Sequence, residues 1–515
     1  MLALSLFLIL LNIMLSAWWI INGNILFHTD IARDFLLIED IVVNKNLTLI
    51  GPRSGAIPGV FHGPFWLYLN LPSFLIGRGN PVVVGWFWVL LSIISLAIIY
   101  FVGKKLFNSK TGLLSALLLS VIQVPAVKSL FNPYGALMLA PVFFYFFVLY
   151  LKNEQVKQLI LSLFILGLII QLQMAFGVPI LLLSIVYLIY FLIKKRKTAH
   201  LLSLSVLAIP LSTYILFDLR HNFLQTRSVI KYLSGAESHG KIDLGFWETV
   251  GMRLREMSLE AIGMLTTEQT WLSILIMVVF GILLWHLIQK KKLSITSPYL
   301  VFGYFYFGYW VITLLFKGPI WSYYFWPFLP LIILVFCSAE NVLHKYLFYT
   351  AFILIFLFNF KVAIGEVQNY NLDFLTHGES SWKFNYNVAK SVYESAEENF
   401  GYFIFTPDLY GYYPRYAMNY VQKQYPNTKA YAFEKKPITY LLIAPPPSYG
   451  KDPNSSWYQK NINAQNWKTS DIKINKSSES TIEYSNGFIV EKYSLSKEEI
   501  KVNANPNLIN NLIFR

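Results

Sequence analysis

The chain contains a single cysteine, Cys337, and few charged residues. One cysteine excludes an intrachain disulfide bond and any metal site built from several thiolates. Charged side chains make up 14% of the 515 residues, against roughly a quarter in soluble globular proteins. Hydrophobic residues make up 55%. This composition excludes an ordinary soluble domain and predicts a polytopic membrane protein.

Motifs that mark several large enzyme classes are also missing. The sequence has no phosphate-binding P-loop, no dinucleotide fingerprint, no paired-cysteine or His-x-x-x-His metal spacing and no Gly-x-Ser-x-Gly elbow. Its long apolar runs carry almost no charged residue, whereas ion-coupled transporters commonly place some near the middle of the bilayer. We therefore expect any chemistry at the rim of the membrane region.

Positive charge is concentrated in five short loops. Thirteen lysines and arginines fall there, beside only two acidic residues, Glu154 and Glu340. The basic residues are Lys104, Lys105, Lys110, Lys152, Lys157, Lys194, Lys195, Arg196, Lys197, Lys290, Lys291, Lys292 and Lys345. Because these loops alternate with acid-containing ones, the positive-inside rule assigns them to the cytoplasm. The net charge of +14 therefore reports membrane topology and does not indicate a nucleic-acid partner.

This placement predicts about eleven transmembrane helices in the cell membrane, with a cytoplasmic N-terminus. The predicted spans are 2–21, 81–102, 111–127, 133–151, 158–174, 178–193, 201–217, 271–288, 297–316, 321–338 and 347–364. Three outer segments, 22–80, 218–270 and 365–515, are much longer than ordinary connections between helices. We therefore divide the chain into a membrane domain of residues 1–364 and an extracytoplasmic domain of residues 365–515.

The last outer segment differs in composition from the rest of the chain. The stretches FGYFIFTPD, YLLIAPPP and NGFIVEKYSL are typical of short strands, and residues 410–423 predict a helix. The sequence thus predicts a small α/β domain outside the membrane.

The stretch HTDIARDF, residues 28–35, places charges just after the first apolar run. Residues 29–43 predict an amphipathic interfacial helix with Thr29 as its N-cap. Its polar face carries Asp30, Arg33, Asp34 and Asp40, while Glu39 lies among the apolar positions. An ordinary charged face with i,i+3 and i,i+4 pairs is the alternative. The three aspartates also offer oxygen ligands for a divalent cation such as Mg²⁺ or Mn²⁺, although the metal is unknown.

Further polar residues lie at the predicted outer rim. Arg53 and His62 belong to a Gly/Pro-rich loop between two amphipathic helices, where irregular backbone indicates a lined cleft. Arg220 and His221, in FDLRHNF, offer donors to an anion with Asp218 orienting one of them. The alternatives are plain surface residues and a membrane-edge anchor.

Five uncharged residues complete this set. Tyr323 and Tyr324 lie in an aromatic stretch that is also typical of a membrane-interface belt. Asn132, Gln171 and Gln173 either bond sugar hydroxyls or cap helix ends.

The order of these motifs resembles the membrane glycosyltransferases of the GT-C fold, in particular bacterial relatives of the protein O-mannosyltransferases and the lipid A aminoarabinose transferase. The resemblance rests on Asp-x-Ala-Arg after the first helix, then GPFWLYL, FNP, QLQ, FDLRHNF and YYFWPFLP, and covers residues 1–364. It implies that Asp30 assists the attacking acceptor hydroxyl and that Arg33 holds the donor phosphate. The sequence departs from the family pattern at two places. Ile31 stands where glutamate is frequent, and HGP stands in place of a Lys-Pro-Pro element. We expect His62 to donate a hydrogen bond to the phosphate in place of that element.

The expected activity is transfer of a sugar from a polyprenyl-phosphate donor, a membrane lipid, to an extracytoplasmic glycan, lipid or protein, with inversion. Nucleotide sugars are made in the cytosol, so an outward-facing enzyme needs a lipid-carried sugar. Asp30 is the expected base, and the expected phosphate ligands are Arg33, Arg53, His62, Arg220, His221, Tyr323 and Tyr324. Asp34, Glu39, Asp40, Asn132, Gln171 and Gln173 are candidates for binding sugar or acceptor. The alternatives are a transporter or flippase of a lipid-linked glycan and a non-catalytic envelope scaffold.

Overall fold

The computed structural model of the protein describes residues 2–54, 57–234, 245–316, 320–370, 380–396, 398–406, 408, 410–445 and 464–510. The chain forms two compact units, and each is discontinuous in sequence. The first unit comprises Met1–Trp18, Leu47–Asn70 and Phe87–Val367, and the second comprises Trp19–Asn46, Leu71–Trp86 and Gln368–Arg515.

Helices make up most of the described chain. The α-helices are Leu2–Ser16, Trp18–Ile21, Thr29–Asn44, Phe65–Ile76, Pro81–Leu106, Ser109–Ile122, Asn132–Asn153, Val156–Leu172, Met174–Lys195, Ser212–Arg220, Leu224–Leu233, Phe246–Arg255, Ala261–Thr266, Thr270–Gln289, Pro298–Thr313, Leu329–Ser338, Lys345–Gln368, Trp382–Ser395, Tyr412–Gln422, Ala464–Asn466, Lys497–Lys501 and Asn507–Asn510. The 3-10 helices are Val127–Ser129, Thr198–Ala208, Ser322–Tyr324, Trp326–Phe328 and Ala339–Asn341, and the π-helical turns are Glu256–Glu260 and Trp467–Ile472.

Several of these helices are suited to a bilayer. Five helices among the described residues are long and apolar enough to cross it, or six if one bent pair counts as a single span. The five are Pro81–Leu106, Asn132–Asn153, Met174–Lys195, Thr270–Gln289 and Lys345–Gln368. The bent pair, Thr198–Ala208 and Ser212–Arg220, turns by 63° next to Pro210, which cannot donate a backbone hydrogen bond. Every predicted span overlaps a helical segment, but several are shorter or broken, and the count of eleven stays a prediction.

The first helix shows how the membrane region packs. Helix Leu2–Ser16 buries its polar residues Ser5, Asn12 and Ser16 and exposes leucines and Phe7. The Asn12 amide donates to the Ser120 hydroxyl at 2.9 Å. Lipid tails provide no hydrophobic drive between helices, so inward polar contacts and outward apolar side chains are expected in a membrane. The protein is a multi-pass membrane protein.

A five-stranded sheet forms the centre of the second unit, as three of the sequence stretches predicted. Its strands are β1 (Phe400–Phe405), β2 (Ala430–Ala432), β3 (Ile438–Ile443), β4 (Ser480–Glu483) and β5 (Ile489–Ser494), in the order β2-β1-β3-β5-β4. Strand β1 runs parallel to β2 and β3, whereas β5 is antiparallel to β3 and β4. All six β1 residues are buried, as expected for a strand covered on both faces.

The same unit contains the helix predicted over residues 29–43, which is observed as Thr29–Asn44. Its apolar side is buried, and Phe35 packs edge-on against Tyr416 of helix Tyr412–Gln422, with ring centroids 5.3 Å apart. Lys45 ends the helix in the left-handed conformation at φ 53°. The carboxyl-terminal part of the chain thus provides the surface on which this polar helix packs.

Candidate active site

The helix Thr29–Asn44 begins one residue earlier than predicted, because Thr29, the predicted N-cap, is already its first helical residue. His28, not Thr29, is the N-cap residue, and its side chain makes no capping hydrogen bond. The Thr29 hydroxyl instead donates to Asp408 Oδ2 at 2.5 Å. Asp408 also accepts from the Thr406 hydroxyl at 2.6 Å. The threonine therefore ties the helix start to the loop after β1 and does not cap the helix.

Asp30, Arg33 and Asp34 form one charged cluster at the start of this helix. Arg33 Nη1 lies 2.6 Å from Asp30 Oδ1, and Arg33 Nη2 lies 3.1 Å from Asp34 Oδ1. The Arg33 Nε also donates to Asp34 Oδ1, at 3.2 Å. The exposed fractions of the side chains are 46% for Asp30, 15% for Arg33 and 5% for Asp34. Asp30 is thus the member of the cluster that a second molecule can reach.

Burial and charge set the protonation of the cluster. Burial raises the pKa of Asp34 to about 6, against the lowering effect of Arg33. Burial also opposes the charge of Arg33, but Asp30 and Asp34 raise the pKa of its guanidinium overall. Burial lowers the pKa of His28, although Asp30 opposes that shift. Arg33 therefore stays cationic, and Asp34 is the carboxyl of the cluster that titrates near neutral pH.

Glu39 and Asp40 lie on later turns and have different surroundings. Glu39 is buried, and its carboxylate accepts from Asn419 Nδ2 at 3.0 Å and Lys423 Nζ at 2.9 Å. Asp40 is partly exposed and accepts from Asn44 Nδ2 at 2.6 Å. Glu39 is thus a buried acid with partners, which explains how a carboxylate lies among the apolar positions of this helix.

The aspartates do not assemble a cation site with other acidic or histidine side chains in the described part of the chain, where no group of three or more His, Cys, Asp or Glu is close enough to hold a metal ion. Asp30 and Asp34 share the Arg33 guanidinium instead.

A second group of predicted site residues is held by one packed framework in the first unit. Arg53 forms a backbone bridge with Phe61, and the Phe61 ring packs edge-on against Phe217 with centroids 5.6 Å apart. His221 stacks on Phe217 at 4.1 Å and 20°. His62 follows Phe61 in the chain, and Arg220 precedes His221. The framework therefore carries the four basic residues of this unit that were predicted to bind phosphate. Arg53, Arg220 and His221 are exposed, and His62 is half-buried.

Asp218 does not orient Arg220 or His221 as predicted. Its carboxylate accepts from the backbone amides of Gln225 at 2.9 Å and Thr226 at 3.2 Å, and from the Thr226 hydroxyl at 2.6 Å. These groups lie in the first turn of helix Leu224–Leu233, where free amides attract a carboxylate. Gln225 in turn accepts the Phe61 amide at 3.0 Å. Asp218 therefore fixes the helix that holds the Gly/Pro-rich loop.

The three amide side chains predicted to meet sugar or cap helices all donate to protein atoms. Gln171 Nε2 donates to Pro210 O at 2.6 Å and to Thr213 Oγ1 at 2.7 Å. Asn132 Nδ2 donates to Leu172 O at 2.6 Å, and Gln173 Nε2 to Tyr323 O at 3.5 Å. All three residues are buried. Each amide nitrogen thus donates to a backbone carbonyl within the protein. A role of these three residues in binding sugar stays a prediction.

Gly63 is required by the close approach of Gln171. The Gly63 amide donates to Gln171 O at 3.0 Å. A Cβ at residue 63 would lie 1.9 Å from Gln171 Oε1 and 2.9 Å from Gln171 Cα. Only glycine fits here, so the loop that bears His62 is locked to the end of helix Val156–Leu172.

The aromatic stretch near residue 323 packs against the start of helix Asn132–Asn153. The Tyr323 ring meets Phe131 edge-on with centroids 5.6 Å apart, and Tyr323 and Tyr324 meet at 5.0 Å and 85°. Tyr324 is buried, while Tyr323 is more accessible. Tyr323 is therefore the better placed of the two to meet a ligand.

A buried ion pair escaped the sequence analysis. Arg253 Nη1 lies 2.8 Å from Glu256 Oε2, with side chains 3% and 9% exposed, and Arg253 Nη2 donates to Phe316 O at 3.0 Å. Burial raises the pKa of Glu256, against the lowering effect of Arg253. The π-helical turn Glu256–Glu260 starts at this pair, and such turns often mark functional sites. The Arg-x-x-Glu spacing in MRLREMSLE was the available signal, but surface helices carry the same spacing.

Comparison with known proteins identifies the fold class of the chain. A family model described as dolichyl-phosphate-mannose-protein mannosyltransferase matches residues 62–216. No curated protein sequence matches the chain. Together with the structural matches below, the family model shows the GT-C fold of membrane glycosyltransferases and confirms the resemblance found in the sequence.

Two solved structures of ArnT from Cupriavidus metallidurans cover almost the whole chain. The apo structure has a TM-score of 0.62 at 10% identity and covers 95% of this chain and 97% of ArnT. The structure bound to undecaprenyl phosphate has a TM-score of 0.60 at 9% identity and covers 96% of this chain and 98% of ArnT. At this identity the likeness shows the fold, which includes the carboxyl-terminal segment as well as the membrane helices.

Proposed function

We propose that this protein is an integral membrane glycosyltransferase that moves a sugar from a polyprenyl-phosphate donor to an extracytoplasmic acceptor. The observation that carries the proposal is the Asp30–Arg33 pair: an accessible carboxylate held at 2.6 Å by a less exposed guanidinium, in a chain with the GT-C fold. A general base must be both ionised and reachable, and this arrangement favours both properties.

A lipid-phosphate donor is supported by two of the comparisons. The family model that matches residues 62–216 is described by a dolichyl-phosphate sugar, and one ArnT structure of the same fold is bound to undecaprenyl phosphate. Cytosolic nucleotide sugars do not reach an outward-facing site. A sugar already carried on a membrane lipid does, so the donor class follows from the proposed side of the membrane.

The proposed reaction is a single inverting displacement. The acceptor hydroxyl gives its proton to Asp30 as its oxygen bonds to the anomeric carbon. The bond between that carbon and the phosphate oxygen breaks, and its electron pair leaves with the polyprenyl phosphate. Cationic donors lower the barrier by stabilising the charge that grows on this phosphate. We assign this role to Arg33, Arg53, His62, Arg220 and His221, with Tyr323 and Tyr324 as hydroxyl donors.

Arg33 serves two partners in this scheme. Three of its five N–H groups point to Asp30 and Asp34, and two remain for a phosphate oxygen. Asp34 then fixes the guanidinium and Asp30 receives the proton. This division of labour between neighbouring carboxylates follows from their exposure, 5% for Asp34 and 46% for Asp30.

The test is sugar transfer by purified full-length protein from a panel of labelled polyprenyl-phosphate sugars to lipid, glycan and protein acceptors. Asp30→Asn is the critical variant, because it keeps the shape and removes the base. We expect a loss of about 10²- to 10⁴-fold in kcat. Glu394→Gln, at an exposed carboxylate of the same unit that pairs with Lys390, is the control and should keep its activity. Parallel reactions with a chelator and with added Mg²⁺ or Mn²⁺ test the divalent cation expected from the sequence.

Three results separate the alternatives. Donor-dependent transfer that is lost in Asp30→Asn and kept in Glu394→Gln supports the proposal. Equal transfer by wild type and Asp30→Asn would move the base to another residue. Absence of transfer with every donor, together with movement of a lipid-linked glycan across vesicles that contain the protein, would favour a flippase.

A further inference from the structure

A polar cavity of about 550 Å³ lies among the basic loops of the first unit. Its wall includes three lysines and three hydroxyl residues: Lys152, Lys291, Lys292, Ser294, Thr296 and Ser297. The lysines come from the end of helix Asn132–Asn153 and from the connection after helix Thr270–Gln289. All three belong to loops that the positive-inside rule assigns to the cytoplasm.

The positive charge of this cavity is not balanced by nearby acids. The two acidic residues of the basic loops are already paired: Glu154 with Lys195 and Lys197, each at 2.6 Å, and Glu340 with Lys110. In the part of the chain that the structure describes, no carboxylate lies within ion-pair distance of Lys152, Lys291 or Lys292. Three like charges around one cavity repel one another and attract an anion.

A helix end adds to the same field. Helix Pro298–Thr313 begins at the cavity, with Ser297 as N-cap and Pro298 in the first turn. The Ser297 side chain makes no capping hydrogen bond. The positive end of the helix dipole therefore points toward the lysines and the hydroxyl groups, an arrangement that suits a phosphate group.

An apolar cavity of about 490 Å³ shares Tyr299 with the basic one. It extends along helices Thr270–Gln289 and Pro298–Thr313, from Met257 to Leu287. Gly281 and Gly303 both face open space, since a Cβ at either position would meet no atom within 4 Å. Both cavities fall in the size range of about 300–1,000 Å³ that is typical of ligand sites. A cationic cavity and an apolar cavity with Tyr299 in both walls match an amphiphile with an anionic head.

We propose that these two cavities form a binding site for an anionic phospholipid of the inner leaflet. The lipid phosphate lies among Lys152, Lys291 and Lys292, and an acyl chain lies in the apolar cavity beyond Tyr299. Basic recesses between transmembrane helices on the cytoplasmic side bind anionic headgroups by the same physics. This site takes a different lipid from the sugar donor, and it does not depend on the proposed transferase activity.

The headgroup half of the site is tested by lipid retention. Full-length protein is purified in detergent, incubated with phosphatidylglycerol or phosphatidylcholine, and the bound lipid is counted by native mass spectrometry. Lys152→Gln/Lys291→Gln/Lys292→Gln should weaken phosphatidylglycerol binding about a hundredfold, at roughly one factor of five per lysine. Lys104→Gln/Lys194→Gln/Lys345→Gln is the matched control, because it removes equal charge from the other basic loops, at lysines that do not line the cavity. Equal retention by both triple variants would overturn the proposal.

The chain half of the site is tested by filling the apolar cavity. Gly303→Leu places a side chain in the open space, and leucine is a better helix former than glycine, so folding is favoured. We expect Gly303→Leu to lower phosphatidylglycerol binding at least tenfold, while Gly251→Leu, at another open helical glycine outside both cavities, leaves it unchanged. A loss of polyprenyl-phosphate binding without any loss of phosphatidylglycerol would assign the cavity to the donor and overturn the proposal.

A free anion is the remaining occupant to distinguish. Inorganic phosphate and glycerol phosphate share the headgroup chemistry but have no chain. If either one protects the wild type from thermal unfolding as well as phosphatidylglycerol does, and the lysine variant abolishes this protection, the site takes a soluble anion and the lipid assignment is wrong. Protection by the phospholipid alone supports it.

Discussion

Lys423 donates to Glu39 at 2.9 Å, although the two residues are 384 positions apart in the sequence. Glu39 lies on the helix that carries Asp30, and Lys423 caps the end of helix Tyr412–Gln422. Asn419 donates to the other oxygen of the same carboxylate. The second unit thus holds the proposed catalytic helix from both ends, through Glu39 at one end and through the Thr29–Asp408 contact at the other.

Removal of both Glu39 donors should loosen that helix. Asn419→Ala/Lys423→Met leaves a buried carboxylate without these partners, which costs about 2–4 kcal/mol. We expect a lower apparent melting temperature and a lower kcat for sugar transfer. Lys390→Met, which removes an exposed pair with Glu394 in the same unit, is the control and should change neither. An unaltered melting temperature in the double variant would show that Glu39 does not fix the helix.

The raised pKa of Asp34 predicts a dependence of stability on pH. Because the pKa is raised to about 6 in the folded protein, from about 4 in an unfolded chain, folding favours the protonated carboxyl. Its stabilising contribution is therefore complete below pH ~4 and is lost as pH rises through ~6. Asp34→Asn should raise the apparent melting temperature at pH 7.5 relative to wild type and flatten its dependence between pH 4 and 6.

Melting curves for both proteins across pH 4–8 provide the measurement. Asp40→Asn is the control, since Asp40 lies on the same helix in a more exposed position. If Asp34→Asn melts well below wild type at pH 7.5, its ionic contacts with Arg33 outweigh the cost of its burial, and the predicted sign is wrong.

The sequence predicted the elements that depend on local pattern. Hydropathy located a helical segment at every predicted span, and the 3.6-residue periodicity located the helix Thr29–Asn44 to within one residue of its end. Short runs of apolar, aromatic and β-branched residues located three of the five strands. Each of these patterns involves residues that are neighbours in the chain, so a single sequence is enough to detect it.

The contacts of the charged residues were not available from local pattern. Glu39 was recognised as an unusual position, but its partners lie 380 and 384 residues away. Asp218 was assigned to Arg220 and His221 because they are neighbours in sequence, whereas the amides that it binds belong to the next helix. Such pairings depend on how helices meet, and hydropathy does not encode that geometry.

Gly63→Ala should disrupt the Gly/Pro-rich loop. The new Cβ would overlap Gln171 Oε1 at 1.9 Å and crowd its Cα, and a rotation of the side chain relieves only the first contact. We expect a loss of about 1–3 kcal/mol in stability, the usual cost of overpacking, and weaker donor binding because His62 moves with the loop. Gly251→Ala, at an open helical position, should be neutral or stabilising. Wild-type melting and donor affinity in Gly63→Ala would contradict this account.

The buried pair Arg253–Glu256 permits a sharper experiment, because removal of one charge should destabilise the protein, whereas removal of both charges should not. Glu256→Gln leaves a cation that is only 3% exposed, and loss of one partner of a buried pair costs about 3–5 kcal/mol. Arg253→Met/Glu256→Leu removes both charges and should recover most of that stability, since an apolar replacement of a buried pair is often neutral. Thermal unfolding of the single and double variants measures the coupling. If the double variant transfers sugar as wild type does, the pair is structural; if it is stable yet inactive, the pair belongs with the phosphate ligands that the sequence predicted elsewhere.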